Sequence, residues 1–380
     1  MSRTKVSLEA WGGENYNLKG SMNLKPLLSV LLSAALFGVS TPLAKLLLGD
    51  IRPVALAGLL YLGVFLGLTV YSWTTRAIPG GRERREAHLE KKDFPWLAGA
   101  IIAGGIVGPV CLMAGLSRIS GFSASLLLNF EGAATALIAV LLFKENAGGR
   151  VWLALGFMTA AGILFSRNTG GGRFTPAGPA LVILAMVAWG IDNNLTRQIA
   201  DKDPVQIAKV KGLVAGSVST AAAFILGEGW RPGLAVAFGL LIGAVCYGLS
   251  LVLFIRALKG LGAFRTGAFF TSGPFIGALV SLLILKDPFR WPMGGAGLLM
   301  IVAVGLVLGE NHVHDHRHER MAHTHSHSHR DLHHFHAHEE AVREPHTHEH
   351  VHEETGHVHG HWPDTHHRHG HEPGIRKEEK

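Results

Sequence analysis

Long apolar stretches, separated by short polar connections, make up most of the first 309 residues of the chain. Several of them, such as 26–48, 177–195 and 291–308, carry few or no charged residues. A helix needs roughly 20 apolar residues to cross the hydrocarbon core of a bilayer. The stretches do not alternate polar and apolar residues as the strands of a membrane barrel do. The pattern therefore predicts an all-α membrane protein.

Ten stretches are long enough to be membrane spans, and an even number of spans places both termini on one side of the bilayer. If that side is the cytoplasm, the inner connections carry more than twice as many Lys and Arg as the outer ones, as the positive-inside rule requires. We therefore expect a multi-pass protein of the plasma (inner) membrane with both termini cytoplasmic. The predicted spans cover about residues 26–48, 54–75, 94–117, 121–143, 149–167, 177–197, 205–227, 234–257, 263–285 and 291–309.

Two pairs of similar segments divide the membrane region into halves. Residues 37–45 (FGVSTPLAK) align with residues 189–197 (WGIDNNLTR), since each has an aromatic-Gly pair, a polar cluster and a final cation. Residues 131–145 align with residues 273–287, and each segment ends in Lys followed by an acid. Spans one to five thus resemble spans six to ten. Because five is odd, the second half enters the bilayer from the opposite side, as in secondary transporters that bind substrate between inverted repeats.

The predicted domain organisation follows from this repeat. Residues 1–24 have no apolar core, so we expect no cleavable signal peptide. The predicted units are a cytoplasmic N-terminal segment (1–25), a first five-helix repeat (26–167), a linker (168–176), a second five-helix repeat (177–309) and a His-rich cytoplasmic tail (310–380).

On these blocks the sequence resembles the EamA-type members of the drug/metabolite transporter superfamily. The resemblance covers roughly residues 26–309. It implies ten helices in two inverted five-helix halves, alternating access and no ATP hydrolysis. The family usually has Glu-Pro in the fourth span, where this chain has Glu131-Gly132; in the ninth span Pro274 is kept and Gly273 replaces the acid. The absence of a GxxxxGK[ST] phosphate loop agrees with transport that does not use ATP.

Ionisable residues inside spans are costly and are functional candidates by default. Asp192 could bind a cationic substrate or a coupling proton, or could pair with a Lys or Arg of another helix. The family match favours a cavity role for Glu131, and an interhelical hydrogen bond is the alternative. Lys45 could reach the interface instead of the substrate, and Arg256 is better explained as an inner-leaflet anchor. The predicted substrate-binding residues are Asp192, Glu131, Asn193, Asn194, Lys45 and Trp189.

The C-terminal tail concentrates histidine: of 24 histidines, all except His88 lie within residues 312–371. The tail has few apolar residues, so we expect it to be disordered without a ligand. Neutral imidazole suits Zn, Ni, Co and Cu, and several weak sites on one chain raise the effective ligand concentration. The alternatives are a pH-responsive polyelectrolyte and an inert extension. The predicted metal ligands are His312, His314, His316, His318, His323, His325, His327, His329, His346, His348, His350 and His352.

Composition narrows the function classes. Charged residues are 17% of the chain, against ~25% in soluble proteins. The basic excess lies in the membrane region and the tail is acidic, so nucleic acid is not an expected partner. The two cysteines, Cys111 and Cys246, lie in apolar runs and exclude a disulfide scaffold. We find no catalytic constellation and expect no enzyme activity and no required cofactor.

Three functions remain open at this point. The first is a secondary transporter of a small metabolite with a metal-binding tail. The second is a transporter of divalent Ni, Co or Zn, as an efflux protein loaded or regulated by the tail, although no predicted span contains a histidine. The third is a membrane metal reservoir that transports nothing. The expected partners are a small-molecule substrate, the lipid bilayer, transition-metal ions and, as an open possibility, a second copy of the chain.

Overall fold

A computed structural model describes residues 24–77, 87–143, 149–166, 176–287 and 291–308 of the membrane region, and four segments of the tail. Residues 1–23 of the predicted N-terminal segment and 167–175 at the predicted linker lie outside the described residues. The described membrane region is helical. The helices are α1 (Leu24–Leu47), α2 (Pro53–Ala77), α3 (Phe94–Ala100), α4 (Gly108–Leu116), α5 (Gly121–Leu127), α6 (Phe130–Phe143), α7 (Gly149–Ser166), α8 (Ala177–Arg197), α9 (Pro204–Ile225), α10 (Leu234–Ile242), α11 (Ser250–Phe270), α12 (Ser272–Val280) and α13 (Trp291–Leu308).

Six helical stretches in the described residues are long and apolar enough to cross a membrane. They are Lys25–Leu47, Pro53–Thr75, Lys91–Leu116, Ala177–Arg197, Pro204–Ile225 and Leu234–Lys259. Side chains that a soluble protein would bury lie exposed on them, for example Trp73 at 75% and Phe238 at 55%. Such a surface suits hydrocarbon and not water. The prediction of an α-helical membrane protein is therefore confirmed at this level.

Local chemistry explains where helices begin. Pro53 and Pro204 start α2 and α9 at a position where no backbone N–H is needed. The Asp203 carboxylate accepts the Val205 N–H at 2.8 Å and caps α9. Ser120 caps α5 in the same way, accepting the Ser123 N–H at 3.1 Å. These caps fix the starts of α5 and α9.

The predicted fourth span, 121–143, is interrupted in the structure. Its two parts, α5 and α6, are separated by a turn at Leu128 and Asn129. The Asn129 side-chain amide donates to the Leu126 carbonyl at 3.1 Å, and such a local bond competes with the helical ladder. The interruption lies directly before Glu131, so it sets the direction from which that side chain approaches the centre.

The helix α11 covers the predicted boundary between spans eight and nine, so a change of direction is expected within it. Its residues Phe254 and Phe270 are in ring contact, with centroids 4.8 Å apart. In a straight helix, 16 residues would separate their backbones by about 24 Å. The chain must therefore reverse direction inside α11. The predicted end of span eight and start of span nine fit this reversal, although no non-helical loop separates them.

In the membrane segments that the structure describes, three π-helical segments interrupt or extend the regular helices. Ile101–Val107 joins α3 to α4, Gly243–Leu249 joins α10 to α11, and Ser281–Leu285 follows α12. A π segment widens the helix by one residue and releases carbonyls from the i−4 ladder. The first two lie at corresponding places in the third and eighth predicted spans. One of the carbonyls in the first segment, that of Gly104, has a role in the site described below.

Glycines let helices from the two halves approach to backbone contact. A Cβ on Gly38 of α1 would collide with the Gly273 carbonyl of α12, and one on Gly273 would meet the Ala34 carbonyl. In the other half, a Cβ on Gly190 of α8 would lie 2.9 Å from Ala134 of α6. Each of the two aligned blocks thus packs against a helix of the opposite half. The block at residues 37–45 packs against α12, and the block at residues 189–197 packs against α6. Close approach through small residues is how helices pack in lipid.

The tail contains four described strands, β1 (His312–His318), β2 (Met321–His327), β3 (His346–His352) and β4 (Thr355–His361). The strand β1 pairs antiparallel with β4, and β2 pairs with β3, in a register that sets His316 opposite His357 and His325 opposite His348. These ladders differ from the disorder that we expected. The physical reason is the spacing: histidine at every second position matches the two-residue repeat of a strand. His329 lies outside the described residues.

Candidate functional site

A cavity lies between helices of the two halves, beside the contact between Phe37 of α1 and Trp189 of α8. It comprises about 530 Å³ of empty space, counted with its opening. Its wall combines apolar rings with a few polar groups, which is the usual composition of a small-molecule site. The described lining residues are Phe37, Tyr61, Val64, Glu131, Trp189, Asp192, Asn193, Tyr247, Ser250, Leu251, Phe254 and Phe270.

Phe37 is the centre of the aromatic part of the wall. Its ring lies 5.3 Å from that of Trp189, 5.7 Å from that of Tyr247 and 5.4 Å from that of Phe270, measured between centroids. Tyr61 reaches the same group through Tyr247, at 6.2 Å. Phe37 and Trp189 are the first residues of the two aligned blocks. The two aligned segments of the sequence are therefore in contact at the cavity.

Asp192 forms a buried ion pair with Lys211 of α9. The Lys211 ammonium donates to both carboxylate oxygens, at 2.6 and 2.7 Å, and its side chain is 1% exposed. The Thr196 hydroxyl, one helical turn along α8, donates to the same carboxylate at 2.8 Å. Of the two readings open for Asp192, the structure thus shows pairing with a cation of another helix. The carboxylate still lines the cavity, so the pair forms part of its wall.

The Gly104 carbonyl links the first π segment to α2 and α8 close to this ion pair. It lies in the first π segment and accepts hydrogen bonds from the Tyr61 hydroxyl at 2.7 Å and from the Trp189 indole N–H at 2.8 Å. A Cβ on Gly104 would overlap the Asp192 carboxyl group. Glycine is therefore required here by close approach. The π segment supplies a free carbonyl, and that carbonyl orients two of the cavity's aromatic side chains.

Glu131 approaches from α6 and is held by amide groups of α8. The Asn193 amide donates to the Glu131 carboxyl group at 2.9 Å and lies 3.2 Å from the Thr135 hydroxyl. Asn194 does not line the cavity; its amide donates to the backbone carbonyls of Thr135 and Gly190, at 3.0 and 2.8 Å. In the described residues, no Lys or Arg makes a salt bridge with Glu131. Its carboxyl group therefore differs from that of Asp192 in having a neutral partner.

Four of the six predicted substrate-binding residues line the cavity: Asp192, Glu131, Asn193 and Trp189. Asn194 does not line the cavity, and its amide binds backbone carbonyls instead. Lys45 is elsewhere, near the end of α1, where its ammonium donates to the Leu116 and Ile119 carbonyls at 2.7 and 2.8 Å. The Leu116 carbonyl is at the C-terminal end of α4, which favours a cation, and the Ile119 carbonyl lies just beyond it. The structure thus assigns Lys45 to a helix end and not to the cavity.

Sequence reasoning missed Lys211, Tyr61 and Tyr247. Lys211 lies inside the predicted span 205–227, but it is not among the ionisable candidates that we named there. One signal could have found it, because Ile207, Lys211 and Ala215 repeat at four-residue spacing and all three are buried on one face of α9. The two tyrosines carried no signal, since a tyrosine inside a span is more often interfacial or packed than functional.

A second polar cluster ties the segment before α3 to the turn after α8. Lys202 is 3% exposed and its ammonium lies 2.9 Å from Glu90 and 3.7 Å from Asp93. Hydrogen bonds, first from Lys92 and then from Lys202, lower the pKa of Glu90 to about 2. The Asp203 N–H donates to the Ala87 carbonyl at 2.8 Å. We call Glu90, Lys92, Asp93 and Lys202 the loop cluster. It fastens the two halves to each other at one end.

Comparison with known proteins decides the family. The sequence profile of the EamA-like transporter family matches residues 24–167 and again residues 176–309. The chain belongs to the EamA-like transporter family. This EamA-like protein is therefore a multi-pass membrane transporter, in agreement with the drug/metabolite transporter superfamily. The prediction that it is not an enzyme is confirmed by the same match.

One of the individual relatives is named as a transporter. An uncharacterised transporter of Methanothermobacter thermautotrophicus is 25% identical over 291 residues, covering 73% of this chain and 84% of the relative. An uncharacterised protein of Pseudomonas aeruginosa is 31% identical over 195 residues, covering 50% of this chain and 66% of the relative. A crystal structure of another protein, 16% identical, covers 75% of this chain and 96% of its own with a TM-score of 0.53. The last similarity concerns the fold alone.

Proposed function

We propose that this EamA-like protein is a secondary active transporter that moves a small metabolite through the cavity between its halves, by alternating access. The observation that carries the proposal is the contact between Phe37 and Trp189. These two residues begin the aligned blocks, and their rings lie 5.3 Å apart in the wall of the cavity. In transporters with inverted repeats, the substrate site lies at the interface of the repeats near the midplane. Glu131, Asn193 and the Asp192–Lys211 pair supply the polar groups of that site.

The proposed architecture is ten spans in two inverted five-helix repeats, at residues 26–167 and 177–309. The family profile matches the chain twice, once over each half. The packing also supports it, because α1 packs against α12 while α8 packs against α6. The first helix of each half thus packs against the corresponding later helix of the other half. Both termini lie in the cytoplasm of the plasma (inner) membrane in this proposal. Its support is the excess of Lys and Arg in the connections assigned to the inner side.

The tail is proposed to bind transition-metal ions such as Zn, Ni, Co or Cu, as a buffer or sensor separate from the transport path. Imidazole is a suitable ligand for all of them. The backbone register supports this, because it brings histidine positions of different strands opposite each other, as at His314 and His359. The cavity does not favour metal transport. Its described lining offers two carboxyl groups without imidazole or thiolate, and one of the two is already paired with Lys211.

A blocked-cavity variant tests the proposal. A strain lacking the gene and strains expressing either the native chain or Leu251→Trp are compared by profiling solutes inside and outside the cells. Leu251 lines the cavity, so a larger ring there should occupy it. Leu241→Trp is the matched control, because Leu241 is 56% exposed on the outer surface of the neighbouring helix α10. We expect at least one small metabolite to change with the native chain and the control but not with Leu251→Trp. Solute profiles that are identical in all strains would refute transport through this cavity.

A further inference from the structure

The two carboxyl groups of the cavity wall differ in how their charge is compensated. Asp192 is neutralised by Lys211, which donates to both of its oxygens. Glu131 has only the neutral amide of Asn193 as its side-chain hydrogen-bond partner in the described residues. None of the described lining residues is a Lys or Arg. A carboxylate in low-polarity surroundings needs a counter-charge. Since no described Lys or Arg pairs with Glu131, a proton or the bound molecule is the remaining source among the groups that the structure describes.

The remainder of the wall favours positive charge as well. Six aromatic residues line the cavity: Phe37, Tyr61, Trp189, Tyr247, Phe254 and Phe270. The face of an aromatic ring is negative, so it attracts a cation within about 6 Å, and more strongly when water is excluded. The same rings give apolar surface to an organic substituent. An anion would lie beside the Glu131 carboxyl group, which disfavours it.

A bare metal ion fits this wall less well than an organic cation does. Transition metals take several oxygen, nitrogen or sulfur ligands, and Mg²⁺ or Ca²⁺ takes six or more oxygens. Among the described lining residues, Glu131 is the carboxyl group without a Lys or Arg partner, and six others are aromatic. An ammonium group with an apolar body needs one carboxylate and several rings, and that is what the wall supplies.

We infer that the substrate is a small organic cation, a protonated or quaternary amine with an apolar or aromatic body. Its charge lies against Glu131 and its body lies among the rings around Phe37. This inference rests on the proposed function, because it assigns the ligand of the same cavity. It adds a chemical class that neither the family match nor the relatives specify. Asn193 then acts as a positioning residue, since it orients the Glu131 carboxyl group toward the cavity.

Equilibrium binding to the purified full chain in lipid nanodiscs tests the inference. The probes share a benzyl group and differ in charge: radiolabelled benzyltrimethylammonium, with benzyl alcohol and phenylacetate as neutral and anionic competitors. We expect only cationic benzyl compounds to bind and compete. Glu131→Gln keeps the bond from Asn193, because its side-chain oxygen still accepts, so it removes charge with little change in shape. We expect this variant to bind benzyltrimethylammonium at least about tenfold more weakly.

Matched controls separate a local effect from a general loss of structure. Phe37→Leu removes a central ring and should weaken cation binding by about three- to tenfold. Phe224→Leu removes a ring that is 56% exposed and packs on Trp230 outside the cavity, and should leave binding unchanged. Glu228→Gln is the corresponding control for charge, because Glu228 accepts the Val54 N–H away from the cavity.

The outcomes distinguish this inference from the proposed function. Equal cation binding by Glu131→Gln and the native chain overturns the inference, and so does phenylacetate binding in place of the cation. If a neutral or anionic metabolite is transported and Leu251→Trp blocks its transport, the proposed function stands and the substrate class is wrong. If the cation binds as predicted but Leu251→Trp changes no solute in cells, the binding site stands and its role in transport fails.

Discussion

Replacing Lys211 with methionine tests how the centre of the molecule is held together. The change removes an ammonium group that donates to both oxygens of Asp192, at 2.6 and 2.7 Å, while it keeps most of the apolar stem. Lys211 is 1% exposed and Asp192 9% exposed, so few water molecules can reach the carboxylate to replace the lost partner. Breaking a buried ion pair from one side costs about 3–5 kcal/mol, because the remaining charge is left uncompensated. Asp192→Asn should cost a similar amount from the other side.

The double variant Asp192→Asn/Lys211→Met provides the decisive comparison. Two neutral side chains of similar size often replace a buried pair at little cost, so we expect this variant to lie within about 2 kcal/mol of the native chain. The measurement is the thermal stability of all four proteins in one detergent, followed by tryptophan fluorescence and analysed as a double-mutant cycle. Our reasoning would be refuted if Lys211→Met were as stable as the native chain, or if the double variant were no more stable than the single ones.

Three further predictions concern other parts of the chain. Gly104→Ala should lower stability and impair transport, because its Cβ would displace the Asp192 carboxyl group, whereas Gly267→Ala, with open space around it, should be tolerated in both assays. The lowered pKa of Glu90 means that the loop cluster stabilises the fold above the ordinary carboxyl pKa of 4.5 and loses this contribution as the pH falls toward about 2. The stability difference between the native chain and Glu90→Gln should therefore stay constant from pH 6 to 8 and shrink below pH 4.5, and a difference that does not depend on pH would contradict the role of the cluster. A chain that ends at Glu310 should lose Ni²⁺ and Zn²⁺ binding in equilibrium dialysis but retain transport; undiminished metal binding would exclude the tail as the ligand.

Much of the fold could be predicted because lipid imposes simple rules on a sequence. Span length and hydrophobicity located the helices, and the aligned blocks at residues 37–45 and 189–197 indicated which parts meet at the centre. Asp192, Glu131 and Asn193 were found because a charged or amide group inside a span has few reasons to be there. Trp189 was found because it begins its aligned block. The same rule failed for Lys45, whose ammonium binds the end of α4, since sequence cannot tell a helix end from a cavity.

The missed features depend on contacts between distant parts of the chain. Lys211 was not singled out, although it lies inside the predicted span 205–227, because it is near the start of that span and hydrophobicity alone cannot place a span end to within a turn. The turn at Asn129 is accompanied by a side-chain bond, and the reversal inside α11 brings two rings into contact. Neither contact changes the apolar pattern of the sequence. The free carbonyl of Gly104 depends on a π segment, and the glycine-rich sequence around it fits a regular helix equally well.

The central claim, that the cavity is a pathway open to each side of the membrane in turn, can be measured at Ser250. This residue lines the cavity, and cysteine replaces its hydroxyl with little change in size. With Cys111 and Cys246 changed to serine, Ser250→Cys is treated with a membrane-impermeant thiol reagent in right-side-out and in inside-out vesicles. Alternating access predicts labelling from both sides, slowed in both by a bound substrate. Labelling from one side only, or from neither, would contradict it.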